Sequence, residues 1–172
     1  MTTILETERL ILQLWSPADA DALFEILIDA EVVRYIADGR PFSFEKVKEF
    51  LIWAENYQRE NGFCRWKAVE KSSGETIGSC GFARPHGTDE IELGYLFARK
   101  VWGCGLATEA ARAATRHGFE KLGFPEIIAV TDLENIASQK VLEKIGFQRR
   151  GIEIFGGDES LVYLAKNPKN IV

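Results

Sequence analysis

Residues 101–124 read VWGCGLATEAARAATRHGFEKLGF, so two glycines stand one residue apart where a strand-like run gives way to alanine-rich helix. Glycine admits backbone conformations closed to other residues and clears side chains from a turn. The first N–H groups of a helix have no partner inside it, and they carry the positive end of the helix dipole. Gly103 and Gly105 therefore suit two designs, a cradle for an anion such as phosphate or a tight strand-to-helix turn and nothing more. The helix that follows narrows the fold. Ala107, Ala111, Ala114 and Gly118 recur on one face, and a stripe of small residues lets a helix lie close against a sheet. Packing alone accounts for that stripe, so the function of the turn stays open at this point.

The rest of the chain supplies the sheet. RLILQLW (residues 9–15) reads as a short strand, and SPADADALFEILIDAEVVRYI follows as a helix capped by Ser16 with Pro17 in its first turn. Ala20, Leu23, Phe24 and Leu27 give that helix an apolar face. SFEKVKEFLIWAENYQREN predicts a second helix, capped by Ser43, with Val47, Phe50, Leu51 and Ala54 inward and Gly62 as its stop. Three strand-like runs come next: FCRWKAVEK, ETIGSCGFAR and EIELGYLFA. They are divided by the short turns Ser72-Ser73-Gly74 and His86-Gly87-Thr88-Asp89, which predict antiparallel neighbours. Beyond the glycine turn and its helix, EIIAVTD reads as a strand and NIASQKVLEKIGF as a helix ended by Gly146. QRRGIEIFGGDESLVYLAK closes the chain as a hairpin around Gly156-Gly157-Asp158. The expected order is β-α-α-β-β-β-α-β-α-β-β, an α/β (α+β) fold with a mixed, mostly antiparallel sheet and helices on both faces. Length predicts one domain across residues 1–172.

Charge and cysteine content exclude several classes of function. Lys and Arg number 21 against 26 Asp and Glu, a net charge of −5, and no basic stripe offers a nucleic acid a footing. An acidic surface suits cationic partners such as amines. No apolar run approaches the ~20 residues of a membrane span, and MTTILETERL lacks the layout of a secretion signal. Cys64, Cys80 and Cys104 are scattered and odd in number, which argues against a disulfide framework or a zinc site and for a cytoplasmic protein. His117 and His86 have no neighbours that suggest a metal or a catalytic triad, and Trp15, Trp53 and Trp66 read as core. The glycine turn lacks the spacing and lysine of a P-loop, and Thr108 holds the place where a dinucleotide fold wants its third glycine.

The turn gains meaning from segments elsewhere in the chain. TERLILQLW, EVVRYI, IGSCGF, IELGYLF, WGCGLATEA and NIASQKVLEKIGF occur in that order. Together they resemble the GNAT superfamily of acyl-CoA-dependent N-acyltransferases, and within it the branch of bacterial ribosomal-protein N-terminal acetyltransferases. That family's pyrophosphate loop, Gln/Arg-x-x-Gly-x-Gly/Ala, is matched by Trp102-x-x-Gly105-x-Ala107, with Trp in first place. The resemblance implies a single domain whose sheet splays between the fourth and fifth strands of the order above, with acetyl-CoA as co-substrate and no metal. It further implies that the pantetheine arm pairs with the backbone of Leu96, Phe97 and Ala98, because a splayed strand has free amide groups. The pyrophosphate would sit on the N–H groups of Gly103, Cys104, Gly105, Leu106, Ala107 and Thr108, and Asn135 and Ser138 would complete the cofactor contacts.

The implied chemistry is direct attack of a primary amine on a thioester. An α-amino group has a pKa near ~8 and lysine near ~10.4, so the nucleophile must first lose a proton at neutral pH. Glu92, with Glu90 two residues before it on the same face, is the expected base; a solvated acidic strand end is the alternative for either. The N–H of Phe97 is the expected oxyanion donor. Relatives often place an acidic tyrosine on the helix after the asparagine, which is absent here, and Ser138 stands where the branch presents a serine to the CoA sulfur. Asn135 can serve as a helix cap as well. Cys104 has no local base and reads as a loop cysteine valued for its N–H. Arg34, Tyr35 and Phe63 are expected to border the acceptor pocket. The expected acceptor is an amine-bearing small molecule or a protein or peptide N-terminus, with no nucleic-acid or membrane partner, and the expected enzyme is a monomer or homodimer. A non-catalytic acyl-CoA-binding or sensing module is the alternative, motivated by the missing tyrosine. A nucleotide-binding regulator using the same turn is a third reading.

Overall fold

A computed structural model describes residues 2–85, 88–155 and 157–170. The expected turn at His86-Gly87 and Gly156 of the closing hairpin lie outside them. Eight strands form one sheet in the order β1-β2-β3-β4-β5-β6-β8-β7. They are β1 (Thr3–Glu6), β2 (Leu10–Gln13), β3 (Arg65–Glu70), β4 (Thr76–Ala83), β5 (Glu92–Phe97), β6 (Glu126–Asp132), β7 (Gln148–Phe155) and β8 (Asp158–Lys166). Every neighbouring pair is antiparallel except β5 with β6. Strand β1 is an addition to the sequence reading. Its four residues, TILE, are too few to carry a period of their own, and pairing with β2 makes them a strand.

Among the described residues, five α-helices cover the two faces. Helices α1 (Ala20–Leu27), α2 (Ala30–Val33) and α3 (Phe44–Asn61) lie on one side; α4 (Leu106–Glu120) and α5 (Ile136–Lys144) lie on the other. The sequence predicts one helix from Ser16 to Ile36, but the chain breaks it at Asp29. That side chain accepts from the Glu31 N–H and so caps a new helix, α2. Helix α3 follows its expected limits: Ser43 Oγ accepts from the Lys46 N–H, and Gly62 closes the helix at φ 80°.

The core on the α4 side is a ring cluster, with Phe63, Trp66, Phe82 and Phe124 meeting edge to face, the arrangement that ring quadrupoles favour. Gly118 of α4 faces it so closely that a Cβ would stand 2.9 Å from Phe82 and 3.0 Å from Ile127. A larger residue there would force the Phe82, Ile127 or Phe124 side chain to shift. His117 meets Trp66 edge to face, their centroids 5.6 Å apart, and burial lowers its pKa. On the opposite face, Lys67 Nζ meets Asp19 Oδ1 at 2.7 Å in a nearly buried ion pair that ties the start of α1 to β3. No described helix is long and apolar enough to cross a membrane.

Candidate active site

Strands β5 and β6 share a single registered pair, Glu92 opposite Ile128, with the Ile128 N–H donating to the Ile91 carbonyl at 2.9 Å. Beyond that point they part toward their C-terminal ends and leave a gap in the sheet. Backbone groups in an antiparallel ladder face alternate sides, and the Ala98 N–H donates to Ile77 on β4. Ala98 and Leu96 thus direct their amides to β4, whereas Tyr95 and Phe97 direct theirs into the gap. Of the three residues expected to pair with a pantetheine arm, only Phe97 turns its N–H toward the opening. Its carbonyl accepts from Trp102 Nε1 at 2.8 Å.

The glycine turn stands at the open end of the gap. Gly103 and Gly105 have φ of 77° and 78°, and Gly105 is the N-cap of α4. None of the N–H groups from Gly103 to Thr108 meets a protein acceptor among the described residues. Nothing lies within 4 Å of where a Gly103 Cβ would stand, so the space beside that glycine is open. Side chains of the β1–β2 connection hold the turn in place. Arg9, in the β1–β2 connection, donates from Nη1 to the Cys104 carbonyl at 2.9 Å and from Nε to Glu109 Oε2 at 2.7 Å. Thr7 Oγ1 donates to the same carboxylate at 2.6 Å. Burial tends to raise the Glu109 pKa, but the hydrogen bonds from Thr7 and Arg9 outweigh it and hold it below the ordinary carboxylate range. A recess of about 370 Å³ beside the turn is lined by Arg9, Thr108, Arg112 and Lys144 together with Glu8 and Glu109. Cys104 is exposed, and its sulfur lies 3.7 Å from the Trp102 carbonyl.

Two carboxylates flank the closed end. Glu92 is largely buried, and its Oε2 accepts from Arg65 Nη2 at 2.8 Å. The Arg65 guanidinium lies over Gly94, where a Cβ would come within 2.6 Å of it. Oε1 of Glu92 has no partner among the described residues. Glu90 differs, since both of its oxygens meet Arg150, which Glu153 grips as well. Across the gap, Asn135 caps α5 by accepting from the Ser138 N–H at 3.1 Å. The Ser138 Oγ lies 2.9 Å from the hydroxyl of Tyr95.

The description "Acetyltransferase (GNAT) domain" fits residues 9–148 of the chain. The protein is a GNAT acetyltransferase. It is 36% identical to the uncharacterized N-acetyltransferase YoaA of Bacillus subtilis, over 88% of this chain and 86% of that one. It is 28% identical to the putative ribosomal N-acetyltransferase YdaF of the same organism, over 95% and 93%. A solved GNAT acetyltransferase from Bacillus anthracis superimposes with a TM-score of 0.80 at 28% identity, covering 97% and 99% of the two chains.

GNAT enzymes draw the acetyl group from acetyl-CoA, and the open turn with its unpaired N–H groups suits the anionic pyrophosphate of that molecule. No described cluster of His, Cys, Asp and Glu could hold a metal ion. Sequence reasoning missed three residues that the fold brings to this region. Arg9 and Thr7 read as ordinary turn residues, and nothing local announces that they reach Glu109 a hundred residues away. Tyr95 reads as an aromatic on an alternating strand. Phe63, expected at the acceptor pocket, is instead 4% exposed inside the ring cluster. Arg34 lies over the ring of Tyr35, 5.3 Å from its centroid.

Proposed function

We propose that this enzyme transfers the acetyl group of acetyl-CoA to a primary amine by direct attack on the thioester, with the N-terminus of a protein or peptide as the acceptor. The observation that carries the proposal is the row of unpaired N–H groups from Gly103 to Thr108 at the mouth of the parted strands. That row would take the pyrophosphate, with the cations of Arg9, Arg112 and Lys144 near the remaining charge. The amide of Asn135 would bond the pantetheine arm, and the N–H of Phe97 would face the oxyanion. Glu92, with Oε1 unpaired beside Gly94, would take the proton of the amine. Glu90 is the weaker candidate because Arg150 engages both of its oxygens. Ser138 would donate its hydroxyl proton to the departing thiolate as a hydrogen bond. The name of the relative YdaF supports a protein acceptor.

The test is release of free CoA thiol over a panel of N-terminal peptides, lysine peptides, polyamines, aminoglycosides and small amino compounds. Turnover confined to peptides with a free N-terminus is expected. Turnover confined to small amines would overturn the acceptor assignment. CoA binding with no turnover for any amine would favour a sensing module over an enzyme. Thermal shifts with CoA, ATP and NAD form the control, because stabilisation by ATP or NAD alone would overturn the reading of the turn.

A further inference from the structure

Tyr95 and Ser138 stand on opposite walls of the gap. Tyr95 belongs to β5, which lines one side, and Ser138 to the first turn of α5, which follows β6 on the other. The Tyr95 hydroxyl is 2.9 Å from Ser138 Oγ and 3.2 Å from the Ser138 carbonyl. Both of its contacts therefore go to one residue. We propose that Tyr95 is a positioning residue that holds the Ser138 hydroxyl so that its proton points at the CoA sulfur; this rests on the reading of Ser138 given above.

Counting protons separates two arrangements. A phenol has one proton, and Tyr95 can give it either to the Ser138 carbonyl or to Ser138 Oγ. When it goes to the carbonyl, the Ser138 proton can turn back to the phenol oxygen. When it goes to Oγ, that oxygen is satisfied as an acceptor, and the Ser138 proton is free to point into the gap. Negative charge growing on the sulfur favours the second arrangement. Hydrogen bonds rearrange in this step, and no covalent bond to either hydroxyl forms or breaks.

A serine without such a tether has another option. Thr115 on α4 shows it, for its hydroxyl donates to the Ala111 carbonyl one turn back at 2.8 Å. Hydroxyls in helices commonly turn inward in this way. Tyr95 is not itself the acid. Burial pushes its phenol well above the ordinary tyrosine range, so it keeps its proton while a thiol of pKa near ~8.5 leaves as thiolate.

The experiment measures the thiolate fraction of CoA bound to the protein at about pH 8, where a free thiol is partly ionised, from the ultraviolet absorbance of the thiolate. No acceptor is needed. Wild type, Tyr95→Phe, Ser138→Ala and the double variant are compared, with CoA affinity measured in parallel. The ratio of thiolate to thiol is expected to fall about threefold to tenfold in Tyr95→Phe, the scale of one hydrogen bond. It should fall at least as far in Ser138→Ala and no further in the double variant, because Tyr95 acts through Ser138. CoA affinity at about pH 6, where the bound thiol keeps its proton, should stay within about twofold, because the hydrogen bond in question acts on the thiolate. An unchanged ratio in Tyr95→Phe overturns the proposal. So does a double variant that multiplies the single effects, or a Tyr95→Phe protein that loses CoA affinity at the lower pH, which would make the tyrosine a packing residue. Failure of the wild type to bind CoA would instead overturn the function proposed above.

Discussion

The two ends of β5 use opposite means. At its N-terminal end the polar atoms belong to side chains, and most are already paired: Glu90 with Arg150, and Glu92 with Arg65. At its C-terminal end they belong to the backbone, and the N–H groups from Gly103 to Thr108 are unpaired among the described residues. Unpaired backbone donors at a helix start point at a ligand whatever side chains surround them. Paired carboxylates give no such indication, because an ion pair can be structural or can hold a base in place. The open end thus identifies a class of ligand, while the closed end leaves the chemistry to be separated residue by residue.

The sharpest way to break the contrast is to fill the open end. Gly105→Asp keeps a residue type that tolerates positive φ better than most. It also brings a carboxylate beside Arg9, since a Cβ at Gly105 would stand 3.7 Å from Arg9 Nη2. At the N-cap of α4 the new carboxylate competes for the N–H groups of the first turn and sets a like charge beside the pyrophosphate, which together should weaken acetyl-CoA binding on the order of a thousandfold. Calorimetry measures it, with far-ultraviolet dichroism as the check on folding. Binding within about threefold of wild type, well inside the worth of one such bond, would show that the N–H groups do not hold the pyrophosphate.

The closed end is tested by separating its two carboxylates. Glu92→Gln should lower turnover about a hundredfold, the usual worth of a general base, and leave acetyl-CoA affinity unchanged. The loss should deepen as pH falls below neutrality, where free amine is scarcest. Glu90→Gln should leave turnover within about twofold, as expected for an exposed ion pair. Rate profiles from about pH 6 to about pH 9, spanning the α-amino pKa, decide the matter. A flat profile for Glu92→Gln at wild-type rates would remove it from the mechanism.

The same contrast explains what the sequence could reveal. The turn is legible because glycines and a small-residue helix leave a local pattern, and Ser43, Gly62 and Asn135 are legible as caps for the same reason. The break at Asp29 is not, because the apolar spacing runs through it and only the cap hydrogen bond shows where the helix restarts. Strand β1 has no period in four residues. The alternation that turns Phe97 toward the gap and Leu96 away from it depends on the register of β5 with β4, which no local pattern fixes. Arg65 on Glu92 and Tyr95 on Ser138 join segments 27 or more residues apart. Their partners are set by the fold, so the residues look ordinary in isolation.

The smallest predicted effect concerns the side-chain cluster at the open end, Arg9 and Thr7 on Glu109. Because hydrogen bonds hold the folded carboxyl below its usual value of 4.5, protons bind the unfolded chain more readily. The stabilisation is therefore complete above the unfolded pKa and is lost as pH falls through the lower, folded value. Glu109→Gln cannot ionise and lacks this contribution. Near neutrality it should be less stable by about 1 kcal/mol, the worth of a partly exposed, hydrogen-bonded ion pair. Urea unfolding of both proteins at about pH 7 and again at about pH 3, below the usual carboxyl value, should show the difference shrinking in acid. A difference that stays constant would mean that Glu109 supports the turn through its shape alone. Since the cluster grips the turn by the Cys104 carbonyl and leaves its N–H groups untouched, acetyl-CoA affinity should fall by only about threefold, less than one full hydrogen bond.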